Sequence, residues 1–159
     1  MKVLIAYRTR YGTAAECARS LVRRIAAESR LVDLALVRKP DVSAFDVVLI
    51  GGSVYGGKIQ REVTSFCERE REVLLKKKVG LFLCCLYRGE HAKAQLREAF
   101  PQWLHSHAFA AALPGGELRF GSLRLLDRLL VRGLPHPPGD VLLLDPQALE
   151  DLAAAVNAP

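Results

Sequence analysis

The sequence predicts a three-layer α/β/α sandwich built on a five-stranded parallel sheet of order 2-1-3-4-5. Three observations carry that expectation. Five short apolar runs alternate with stretches whose apolar residues recur at helical spacing. The strand candidates are apolar as strands covered on both faces must be, which is the signature of a parallel sheet between helices. The chain has 159 residues, half of them hydrophobic, enough for one well-buried core, so a single domain over residues 1–159 is expected.

Taken in order, residues 2–7 (KVLIAY) form the first strand and run into TRYGT. Residues 12–29 then place Ala15, Ala18, Leu21, Val22, Ile25 and Ala26 on one helical face. VDLALV (32–37) is the second strand, with a turn at Lys39-Pro40-Asp41, and DVVLIGG (46–52) is the third. A helical stretch from about 59 to 72 leads to the fourth strand, KVGLFLCC (78–85). A helix from about Glu90 to His105 leads to the fifth, AFAAAL (108–113), and two further helices near 121–133 and 146–156 close the chain. Pro114-Gly115-Gly116 and Leu134-Pro135-His136-Pro137-Pro138-Gly139 are dense in residues that break regular structure and are expected to be irregular. There is no repeat, low-complexity tract or domain linker.

The opening MKVLIAYRT is too short an apolar run for a secretory signal, and no stretch has the length to span a bilayer, so a cytoplasmic protein is expected. Cys17, Cys67, Cys84 and Cys85 show no CxxC or Cys/His ligand spacing. Cys84 and Cys85 on one strand point to opposite faces, so buried thiols are expected rather than disulfides or a metal site. A formal charge of +6 and a pI near 9.4 suit an acidic partner or an anionic membrane surface. The arginines are spread along the chain and not interleaved with aromatics for base stacking, so no nucleic-acid partner is expected.

In an open parallel sheet, ligands sit beyond the carboxyl ends of the strands where strand order reverses, which singles out the loops after the first, third and fourth strands. The first is Thr9-Arg10-Tyr11-Gly12-Thr13-Ala14, a hydroxyl-rich turn opening into a helix, where free backbone N–H groups and the helix dipole favour a phosphate. Thr9 or Thr13 capping the helix is the simpler reading, and the two are compatible. The second is Gly51-Gly52-Ser53-Val54-Tyr55-Gly56-Gly57. So much glycine is costly to order unless something lies against the backbone, and Tyr55 can stack on a flat ring; a tight turn without a ligand is the alternative. The third is Leu86-Tyr87-Arg88-Gly89-Glu90-His91, where Tyr87 offers a second aromatic wall, or where an ordinary strand-to-helix loop suffices.

The chain lacks GxxxxGK[ST], which argues against a nucleotide triphosphatase, and the first strand ends in Tyr7 and Arg8 rather than in the acidic cluster a response regulator needs for magnesium. A phosphatase of the small tyrosine type needs a cysteine in the phosphate loop, and Cys17 lies past it. With neither a nucleophile nor an acid–base pair, no catalytic side chain and no metal ligand is assigned, and the chemistry is expected to belong to a bound cofactor.

The order KVLIAY, TRYGT, DVVLIGGSVYGGK and GLFLCC resembles the flavodoxin superfamily over nearly the whole chain. More narrowly, TRYGTAAECA, IGGSVYGGKIQREVTSF and GGELRFGSLRLLDRLLVRG resemble the flavodoxin-type protoporphyrinogen dehydrogenases that pass electrons to menaquinone. The chain departs from them at Ala14, where a phosphate-binding hydroxyl is common, and in a shorter stretch between the fourth and fifth strands. The resemblance implies flavin mononucleotide (FMN) as cofactor, with its phosphate at Thr9, Arg10, Tyr11, Gly12, Thr13 and Ala14. It implies ring contacts around Ser53, Val54, Tyr55, Gly56 and Gly57 and around Leu86, Tyr87, Arg88 and Gly89. The function it implies is electron transfer or oxidoreduction with a redox partner protein or a quinone. The competing class is a flavin-free interaction module of the same fold, for which Ala14 and the basic Arg8/Arg10 loop are the relevant features.

Residues 122–133 place Arg124, Arg128 and Arg132 on one side of a helix and leucines around the other. Its leucines on the protein's own core is the ordinary expectation; peripheral contact with the inner face of a membrane is the alternative. His105 and His107 are expected to cap or pack rather than to bind metal.

Overall fold

The computed structural model describes residues 1–118 and 141–159. The expected basic helix at 122–133 and the connection at 134–139 lie outside them. Strand β1 (Lys2–Tyr7) is followed by helix α1 (Thr13–Arg24), β2 (Glu28–Asp33), β3 (Val47–Tyr55) and the short β4 (Lys58–Ile59). Helices α2 (Arg61–Arg69) and α3 (Arg71–Leu74) lead to β5 (Lys78–Cys84). After α4 (Gly89–Ala99) and α5 (Gln102–His107) come β6 (Ala110–Leu118), β7 (Val141–Leu144) and α6 (Pro146–Asn157). The main sheet runs β2-β1-β3-β5-β6-β7; its first five strands are parallel neighbours in the expected 2-1-3-4-5 order, and β7 is an added antiparallel edge.

Alternation along the strands builds a core on each face. Leu4, Ala6, Val48, Ile50, Val79, Leu81 and Leu83 meet Val63, Phe66, Cys67, Leu74, Ala99 and Leu104 from α2 to α5. Val3, Ile5, Val47, Leu49, Phe82 and Cys84 meet Ala14, Cys17, Ala18, Leu21, Leu149, Leu152 and Val156 from α1 and α6. Helix α6 starts on a capping aspartate, whose Asp145 Oδ1 accepts from Gln147 N at 3.0 Å with Pro146 in the first turn. Asp145→Ala is expected to lower stability by about 1 kcal/mol in urea denaturation.

Several element bounds differ from the sequence expectation, each for a local reason. Helix α1 stops at Arg24 instead of reaching 29, because Ile25 turns extended and Asn157 caps the exit: its Nδ2 donates to Arg24 O and its Oδ1 accepts from Ala26 N, both at 2.9 Å. The second strand then starts at Glu28 and not at residue 32. Asp33 ends it, its carbonyl accepting from Leu36 N and Val37 N and its Oδ1 from Ala35 N, an Asx-turn that leaves Leu36 82% exposed. The helix expected over 90–105 breaks because Phe100, before Pro101, is extended. Pro114-Gly115-Gly116 is not irregular: it continues β6, with a register shift against Phe82 and Cys84 that marks a bulge. His107 caps as expected, its Nε2 lying 2.9 Å from Leu74 O and 2.8 Å from Lys77 O.

Candidate functional site

The three loops singled out from sequence are neighbours in space because β1, β3 and β5 are neighbours in the sheet. Tyr7 pairs with Gly51, Arg8 N donates to Gly51 O at 3.1 Å, and Ser53 pairs with Cys84, so the carboxyl ends of these strands are stitched into one rim. Burial pushes the Tyr7 phenol above its ordinary value, with Asp33 adding in the same direction.

The first loop is held from within. Thr9 Oγ1 accepts from Gly12 N at 2.9 Å, and Gly12 takes φ 101, a left-handed conformation that residues with a side chain rarely adopt. The N-cap, Gly12, has no side chain, Thr9 bonds the Gly12 amide rather than a first-turn one, and among the described residues no side-chain hydrogen bond caps α1, so neither Thr9 nor Thr13 plays the simple capping role considered from sequence. The first-turn amides, at the positive end of the helix, thus have no side-chain acceptor among the described residues, an arrangement that suits an anion. Thr13 and Ala14 are both buried. Ala14 is 0% exposed with its methyl in the core, so its side chain is not presented to the loop. Arg8 is committed elsewhere, pairing with Glu62 at 3.3 Å and bonding Thr9 O.

The second segment is not a loop throughout. Ser53, Val54 and Tyr55 belong to β3, which turns back through Gly56 and Gly57 into β4, with Tyr55 opposite Lys58. Both turn glycines have positive φ, 56 and 76, as a two-residue hairpin of this hand needs. The hairpin projects Tyr55 to the first loop, where its ring meets Tyr11 edge-on at 5.3 Å between centroids. Arg10 lies over both rings, 5.9 Å from Tyr11 and 5.7 Å from Tyr55. Val54 packs against the core.

Ser53 is buried and its Oγ has no hydrogen-bond partner among the described residues. Sequence reasoning missed its neighbour Gln60, whose Oε1 accepts from Ser53 N at 3.0 Å while its buried Nε2 is also left without a partner. Two partnerless polar groups beside one loop are what a bound polar ligand repairs. The signal available was only a polar residue three positions beyond the glycine-rich segment.

In the third loop, Leu86 and Tyr87 are partly buried, Arg88 is exposed and Gly89, at φ 57, starts α4. Tyr87 leans toward His91 at 6.0 Å. The structure thus brings Thr9 to Ala14 together with Ser53 to Gly57 through the Tyr11–Tyr55 contact, and places Leu86 to Gly89, with Tyr87 against His91, at the end of the adjoining strand. Among the described residues no cluster of His, Cys, Asp or Glu could hold a metal ion.

A flavodoxin-domain family model matches residues 4–139. No curated protein matches the chain. Among solved structures, rubredoxin oxygen:oxidoreductase from the anaerobe Desulfovibrio gigas is similar at 17% identity and TM-score 0.58; the match covers 99% of this chain but 37% of that one. Oxidised flavodoxin 1 from Bacillus cereus is similar at 15% identity and TM-score 0.56, covering 98% of this chain and 97% of the other. A flavoprotein in complex with FMN from Lactobacillus acidophilus is similar at 14% identity and TM-score 0.50, covering 69% of this chain and 91% of the other. At these identities the likeness is one of fold.

Proposed function

Because the chain belongs to the flavodoxin domain family, whose cofactor is FMN, we propose that it binds FMN across the three-loop rim and transfers electrons to a redox partner. The observation that carries this is the pairing of an uncapped helix start with the partnerless Ser53 Oγ near the end of β3 and Gln60 Nε2 just before α2. The backbone amides of Thr13 and Ala14 hold the phosphate, and Thr9 keeps Gly12 in the turn that exposes them. Tyr55 and Tyr87 flank the ring and shield it from water, while Ser53, Gln60 and the Gly56-Gly57 backbone bond its polar edge. FMN supplies the redox chemistry when bound, and the protein's side chains position it and set its surroundings.

Arg10, Lys58, Arg61 and Arg88 are exposed at this same end of the sheet. Their charge steers an acidic partner to the rim and makes association fall as salt is added. The purified protein is expected to show two visible absorbance bands that bleach with dithionite and return when ferricyanide is added. A colourless protein that refuses FMN points instead to a flavin-free interaction module.

The narrower reading, oxidation of a porphyrinogen with a quinone as acceptor, is supported by the TRYGTAAECA and IGGSVYGGKIQREVTSF motifs. Quinone reduction by the FMN-loaded protein supplied with reduced porphyrin supports it; FMN bound with no turnover leaves the carrier role. Membrane contact through 122–133 is read by sedimentation with anionic liposomes at low and high salt, and absence of binding in both excludes it.

A further inference from the structure

The four cysteines are free and buried, but they are not equivalent. Cys17, one turn into α1 behind the first loop, and Cys84, the last residue of β5, put their sulfurs 3.6 Å apart, and Cys84 donates to Cys17 Sγ. Cys85 turns away, its thiol donating to Tyr87 O at 3.7 Å, and Cys67 lies in the core on the opposite face of the sheet. We infer that Cys17 and Cys84 are an oxidant-sensitive dithiol that closes into a disulfide linking α1 to β5.

Closure needs the sulfurs to approach by about 1.5 Å from their present contact, a movement within reach of small side-chain rotations. The chemistry also singles out this pair. The Cys84 thiol donating to it holds Cys17 below the ordinary thiol value, favouring the reactive thiolate. Cys84 itself is held well above that value by the same contact and by burial, so it stays a thiol. Burial pushes Cys67 up to about 12 and raises Cys85, which leaves both unreactive.

The oxidant is a hydroperoxide, small and neutral enough to enter a packed site as it breathes. The Cys17 thiolate attacks the terminal peroxide oxygen, breaking the O–O bond and giving a sulfenic acid, while the leaving oxygen takes a proton and departs as an alcohol, or as water when the peroxide is hydrogen peroxide. The Cys84 sulfur then attacks the sulfenic sulfur, its thiol proton going to the displaced sulfenic oxygen, which leaves as water as the S–S bond forms. Two thiols lose two electrons and two protons, and the peroxide is reduced by the same two electrons.

The test is peroxide treatment of the intact wild-type chain, followed by denaturation, alkylation of the remaining thiols, trypsin digestion and mass spectrometry without reduction. The expected result is the loss of two of the four alkylatable thiols and a linked pair of peptides, 11–19 with 79–88, that separates on reduction. Because the second peptide contains both Cys84 and Cys85, the variants assign the sulfur: Cys85→Ala keeps the link and Cys84→Ala abolishes it. Retention of all four thiols, a link through Cys67 or Cys85, or Cys17 driven to the sulfinic acid with Cys84 still alkylated each overturns the inference.

Discussion

Replacing Gly51 by alanine is expected to lower stability by about 3 kcal/mol, a large effect for a single added methyl. Gly51 pairs across the ladder with Phe82, and a methyl at Gly51 would meet the Phe82 ring at 2.1 to 2.3 Å. The ring cannot move aside easily, since Phe82 is wholly buried among Val3, Ile5, Leu49 and the residues of α1 and α6. The glycine is thus the cross-strand complement of an aromatic side chain. Phe82→Leu in the Gly51→Ala background should recover a good part of the loss, and Phe82→Ala alone should cost about 3–5 kcal/mol. Urea denaturation of Gly51→Ala, of Phe82→Leu alone and of the double variant Gly51→Ala/Phe82→Leu measures the coupling, and strictly additive effects would show that the two residues do not share this space.

The second large effect falls on the ligand. Gly12→Val forces a β-branched residue into φ 101, where valine is strongly disfavoured, and strain there should cost about 1–2 kcal/mol of stability. The open space beside Gly12 holds no protein atom within 4 Å of where a Cβ would stand, so the penalty is conformational rather than a clash with the fold. The consequence for FMN should exceed that for stability. A loop driven out of its turn no longer presents the amides of Thr13 and Ala14, and the loss in FMN affinity is expected to be roughly 100-fold, or about 2.7 kcal/mol. Riboflavin, which lacks the phosphate, should bind the variant and the wild type about equally. An equal loss for both flavins would place the damage in the ring site instead.

The layered fold was legible because it depends on features that repeat. β1 and β5 read directly as apolar runs, since covering a parallel sheet on both faces leaves little room for polar residues at Val3 to Ala6 or Val79 to Cys84. β2 was misplaced because it is an edge strand. Glu28, Ser29 and Arg30 carry no apolar signal, while the apolar Leu36 and Val37 look like strand and sit instead in the exposed turn that Asp33 closes. β7 went unseen because a four-residue strand at the sheet edge is specified by its partner, β6, rather than by its own pattern.

The rim was legible to the level of loops but not of atoms. Glycine and hydroxyl enrichment marked the first and second segments, yet nothing in the sequence distinguishes a glycine run that forms a loop from one whose first half continues a strand, as Ser53 to Tyr55 do. Gln60 was missed for the same reason: its role comes from a side chain folding back onto Ser53 N, a tertiary contact without a spacing rule. Ala14 stands where a phosphate-binding hydroxyl is common, and burial shows that its side chain belongs to the core instead. The Cys17–Cys84 contact likewise depends on how α1 lies across β5, which no local pattern encodes.

Whether the helix start and the adjoining rim hold a phosphorylated flavin is read by titrating the flavin-stripped protein with FMN and, separately, with riboflavin, following the quenching of flavin fluorescence. Saturable quenching by FMN at one equivalent per chain is expected, with affinity for riboflavin weaker by roughly 100-fold, the contribution of a phosphate at a helix N-terminus. Equal affinity for the two flavins would contradict the phosphate assignment, and no quenching at high micromolar FMN would contradict the flavin site altogether.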